Sequence, residues 1–87
     1  MLRKGNFYEV NVEHMERTQI DMIDCGDRGC VFLYEFDTPV KRSGLELTHQ
    51  IEKCDSECNV ISTLTYVNES GARQMFYTIA SKLWEGN

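Results

Sequence analysis

The stretch Cys25-Gly26-Asp27-Arg28-Gly29-Cys30-Val31-Phe32-Leu33-Tyr34-Glu35-Phe36 decides the layout of this chain. Its first half is a polar loop whose two glycines supply the positive φ of a tight reversal. Its second half is the most apolar run in the sequence. Both sides of its period-two pattern are hydrophobic, which marks a central strand. Asp37-Thr38-Pro39 is expected to stop that strand, because proline has no donor for a ladder.

Outward from this stretch the pattern repeats. Residues 18–25 form a strand candidate leading into the loop, with Ile20 and Met22 on one side. After the polar connection Lys41-Arg42-Ser43-Gly44, Leu45, Leu47, His49 and Ile51 alternate with Glu46, Thr48, Gln50 and Glu52. This is a one-sided strand with a polar, solvated face. A second short loop, Asp55-Ser56-Glu57, lies between Cys54 and Cys58. The β-branched residues 60–67 then read as a strong strand. Nearer the start, Tyr8, Val10, Val12 and His14 alternate with Glu9, Asn11 and Glu13 as a further half-buried strand.

The period changes after Asn68. Ala72, Met75, Phe76, Ile79, Ala80 and Leu83 recur at helical spacing and predict a helix over residues 69–84. Asn68 or Ser70 can cap its start, and Gly86 can stop it. The expected fold is α+β: an antiparallel meander of four to five strands, its apolar side covered by one C-terminal helix. Eighty-seven residues hold one domain, residues 1–87. In a meander the two cysteine-flanked loops fall at the same rim of the sheet. Cys30 and Cys54 then become cross-strand neighbours, about 5 Å apart in the pairing direction.

Three chemistries remain open for Cys25, Cys30, Cys54 and Cys58. They can be free thiols acting as small apolar residues. They can be zinc ligands: two hairpin tips with two thiolates each resemble a zinc ribbon in outline, and a small domain gains from a metal staple. Ribbon knuckles usually space their cysteines by two residues, whereas the gaps here are four and three. They can also pair as disulfides, although a Cys25–Cys30 ring is too small to remove much unfolded-state entropy. Apart from zinc, no cofactor is expected.

Composition narrows the function. Fourteen acidic residues against nine basic ones give a net charge of −5, with basic pairs only at Arg3-Lys4 and Lys41-Arg42. That disfavours direct nucleic-acid binding, which needs a basic stripe. No apolar run reaches the length of a membrane span, and the start lacks the apolar core of a secretory signal, so a cytoplasmic setting is expected. The loop at Gly26 to Gly29 lacks the lysine and following helix of a phosphate-binding loop. His14 and His49, the only imidazoles, fall on apolar strand sides with no catalytic spacing, so no enzyme is expected.

What is left is a small acidic binding module, monomeric or homodimeric, that occupies a basic surface or groove of another protein. Phage-encoded inhibitors of host defence, anti-CRISPR proteins included, and toxin-immunity proteins are often chains of this size and charge. The candidate contacts are Asp27, Asp55 and Glu57 at the rim, Glu46 and Glu52 on the polar strand face, and Trp84 at the helix end.

Overall fold

Local alternation becomes four antiparallel strands: β1 (Arg17–Asp24), β2 (Cys30–Arg42), β3 (Leu45–Cys54) and β4 (Val60–Tyr66), followed by helix α1 (Glu69–Glu85). The computed structural model describes residues 16–85. The sheet order is β1-β2-β3-β4, the meander expected from the loop chemistry. The strand expected over residues 7–14, with Glu9, Glu13 and His14, and the helix stop at Gly86 lie outside the described residues.

The helix sits over one sheet face because its stripe is apolar at the right period. Ala72, Phe76, Ala80 and Leu83 are buried against Val31, Leu33 and Ile51. Phe76 has no exposed surface. Alanines one turn before and after it let the ring reach the sheet. Asn68 starts the helix, its Oδ1 accepting the Gly71 amide at 2.7 Å, which satisfies one of the free donors of the first turn. At the other end the Arg28 guanidinium donates to the carbonyl of Trp84 at 2.7 Å. A cation there complements the negative end of the helix dipole. Arg73 ties the helix to β1 through Asp21 at 3.0 Å.

Two strands depart from the sequence expectation. β2 does not stop at Asp37-Thr38-Pro39 but runs on to Arg42. The pairing Glu35↔His49 is followed by Val40↔Leu47, so residues 36–39 of β2 face only Thr48 of β3. This bulge accommodates Pro39, because bulged residues need not donate to the neighbouring strand. The Asp37 amide turns to the carbonyl of Glu16 instead. Around the bulge Phe36, Val40 and Leu47 make a second small core. β4 is the other departure. Its β-branched residues form a strand as expected, yet Val60, Ile61 and Leu64 are exposed. Among the described residues β4 pairs only with β3, at the sheet edge.

Gly29 shows how tightly the two hairpin loops meet. It sits at φ 107° and ψ −160°, a conformation reserved for glycine. A Cβ built there would lie 2.0 Å from the carbonyl oxygen of Cys54. Gly26, at φ +66°, has open space around it. Gly29→Ala is therefore expected to cost about 3 kcal/mol or more. Gly26→Ala is expected to cost only the left-handed strain of about 1 kcal/mol. Urea denaturation of the two variants checks the ranking, and equal losses would reject the close approach.

Candidate functional site

The rim is built by two short reversals. Cys25 to Gly29 closes through the Cys25 amide donating to the Gly29 carbonyl at 2.8 Å, around a single 3-10 turn. Asp55 to Asn59 closes around one carboxylate. Asp55 Oδ1 accepts the amides of Glu57 and Asn59, each at 2.9 Å, and Oδ2 accepts Asn59 Nδ2 at 3.2 Å. These bonds, with the Asn59 amide foremost, hold the Asp55 carboxyl below its usual range. Asp55 thus organises its own loop, while Asp27 and Glu57 stay exposed beside it.

Strand alternation sorts the thiols. Val31 faces the helix, so Cys30 and its partner Cys54 face the other side of the sheet. Cys25 turns toward the helix, with its Sγ 3.7 Å from the Ala80 carbonyl. Cys58 is exposed, at φ +69°. None of the four is joined to another in a disulfide. The rim gathers them, as the meander requires, but the sheet separates Cys25 from Cys30 and Cys54. Among the described residues no group of three or more His, Cys, Asp or Glu is disposed to hold a metal ion. Burial pushes the Cys54 thiol up to about 11, with nearby Cys30 and Glu52 adding to it. Cys30 is raised for the same first reason, then by Cys58 and Asp24.

The six candidate contact residues do not share one surface. Asp27, Asp55 and Glu57 lie at the cysteine rim. Trp84 joins them there, because Arg28 of the first loop holds the helix end and a pocket is shared by Cys25, Asp27, Arg28 and Trp84. Glu46 lies at the opposite end of the sheet, in the β2–β3 hairpin, 3.5 Å from Lys41. Glu52 is engaged inside the molecule: its side chain is 13% exposed and pairs with Arg17 at 3.0 Å.

Glu52 belongs to a polar cluster that the alternating pattern of β3 did not announce. The face carrying Gln50 and Glu52 was expected to be solvated, yet Gln50 is 1% exposed. Arg17 covers it from β1. Its guanidinium donates to Gln50 Oε1, bridges to Glu52 and lies 3.8 Å from the centroid of the Tyr34 ring. Tyr34 in turn donates to Glu52 at 3.4 Å. Burial, then the Glu52 charge, raises the Tyr34 hydroxyl. The sequence signal for this cluster was a basic residue at the start of a strand two places from the one bearing the glutamate. His49 is buried on the helix side, its Nδ1 2.7 Å from Thr48 Oγ1.

Searches against protein-family models, curated proteins and solved structures return no match to this chain. Among the described residues no helix is long and apolar enough to cross a membrane.

A depressed carboxylate stabilises the folded loop above its unfolded pKa, near 4, and that contribution is lost as pH falls through the lower folded value. The amides of Glu57 and Asn59 are therefore expected to hold their positions in an NMR titration down to about pH 4 and to move only below it. Asp55→Asn should abolish the acid step. Movement of both amides centred at an ordinary carboxylate midpoint would show that Asp55 is not the loop's organising acceptor.

Proposed function

We propose that this protein works by binding, and blocking, a basic surface of another protein through the rim, without catalysing a reaction. The observation that carries this reading is Trp84. This residue is 66% exposed although a tryptophan is among the costliest side chains to leave in water. Asp27 lies beside it, and Glu57 is exposed in the adjoining loop. Arg28, the cation within this group, is spent on the helix carbonyls. An aromatic anchor next to carboxylates that have no ion-pair partner among the described residues fits a partner offering an apolar notch inside a basic groove.

The remaining surfaces support the same choice. The sheet face opposite the helix carries the Arg17–Glu52 pair, whose charges answer each other. Glu46 is met by Lys41. Neither leaves a strong field for a partner. Size and a net charge of −5 agree with a small blocking protein of the kind that phages direct at host defence enzymes. Steric exclusion with charge complementarity needs no catalytic group and no cofactor.

The test is co-purification of the full chain from lysate of its source cell or that cell's host, beside Trp84→Ala and a double reversal, Asp27→Lys with Glu57→Lys. A specific protein partner should be retained by the wild type and bind the Trp84→Ala chain about 30-fold more weakly or worse. The double reversal should slow association and flatten its salt dependence. A partner held equally by all three chains, or no protein partner at all, overturns the reading.

A further inference from the structure

We propose that Cys30 and Cys54 form an oxidisable dithiol that exchanges with low-molecular-weight disulfides through Cys58. The inference stands on the sheet register and is independent of the docking reading above. Cys30 and Cys54 are directly opposite each other on β2 and β3. Both are buried and project to the same side of the sheet. Directly opposed strand residues bring their Cβ atoms to about 4.5–5.5 Å, against the 3.5–4.5 Å of a disulfide. A small adjustment of two neighbouring strands therefore closes the bond. The two thiols already interact, each altering the other's ionisation. The alternative ring across the first loop is disfavoured by geometry, because Cys25 and Cys30 point to opposite sides of the sheet.

Burial explains why a third thiol is needed. Cys30 and Cys54 are shielded from solvent and held protonated, so neither meets a small disulfide readily. Cys58 is exposed, and it lines the same pocket of about 320 Å³ as Cys30. That pocket also takes in Met22, Phe32 and the backbone of the two glycines of the first loop.

The exchange balances in three displacements. The Cys58 sulfur attacks one sulfur of the small disulfide and expels the first small thiolate, leaving a mixed disulfide on Cys58. The Cys30 sulfur then attacks the Cys58 sulfur and expels the second small thiolate. Finally the Cys54 sulfur attacks the Cys30 sulfur, and Cys58 leaves and regains a proton. The small disulfide takes up two electrons and becomes two thiols. Cys30 and Cys54 lose two protons and two electrons and become one bond. The product joins β2 to β3 at the rim, where β3 hands over to the Asp55 loop.

The test uses the full chain in buffers of oxidised and reduced glutathione, quenched with acid, alkylated and mapped by mass spectrometry without reduction. The expected product is lighter than the reduced chain by about 2 Da before alkylation, with Cys30 joined to Cys54 and Cys25 and Cys58 alkylated. Cys58→Ser, at an exposed position, should slow its formation about tenfold or more while leaving the final oxidised fraction unchanged at each glutathione ratio. Circular dichroism matching the wild type shows that this variant is folded. An end product with glutathione retained on Cys58, with Cys58 bridged to Cys30, or with Cys25 bridged to Cys30 overturns the proposal. So does a Cys58→Ser chain that oxidises at the wild-type rate.

Discussion

The whole structure depends on one contact, the seating of Phe76 on Val31, Leu33 and Ile51. A chain this short has a single place to bury a sizeable apolar volume, and a small domain has little stability in reserve. The helix supplies a narrow stripe in which alanines flank one large ring, and the two central strands supply branched side chains that meet it. Everything else is arranged around that seat. Asn68 and Arg28 close the two helix ends, and Arg73 holds its first half over β1.

The face away from the helix meets a different problem. It carries Tyr34, Gln50 and Glu52 beside Phe32. Buried polar groups are tolerated only when each finds a partner. Arg17 supplies donors to the Gln50 amide oxygen and the Glu52 carboxylate while its guanidinium lies over the tyrosine ring, and the Tyr34 hydroxyl donates to Glu52. Arginine suits the position because its planar fork stacks and donates together. A consequence follows for function. Charges that satisfy one another inside the molecule are not available to a partner, so the Arg17–Glu52 pair is spent, whereas Asp27 and Glu57 at the end of the sheet are exposed.

At that end the two sides of the sheet carry different groups, with Glu57 next to Cys58 in the second loop. The helix side carries Trp84, Asp27 and the turned-in Cys25. The open side carries Cys30, Cys54 and Cys58 beside the Asp55 loop. Gly29 sits between them, its missing side chain letting the first loop pass against the Cys54 carbonyl. A docking surface and a dithiol can thus occupy one rim without sharing a residue.

The sequence by itself determined the meander, its loops and the terminal helix, because each follows from spacing and turn residues within a few positions of one another. It also determined that Cys30 and Cys54 are neighbours, since hairpin reversal fixes which strand ends meet. Only the tertiary structure decided that Glu52 is neutralised and Gln50 buried, because their partner Arg17 is more than thirty positions away and arrives from a strand that does not touch β3 in the ladder. The passage of β2 through Pro39 was likewise invisible to local rules: a bulge depends on how many residues the opposite strand offers, and Thr48 alone faces four. The same holds for the thiols. Their spacing along the chain left three chemistries open, and the sides of the sheet to which they point, set by which face the helix covers, separated Cys25 from the pair it flanks.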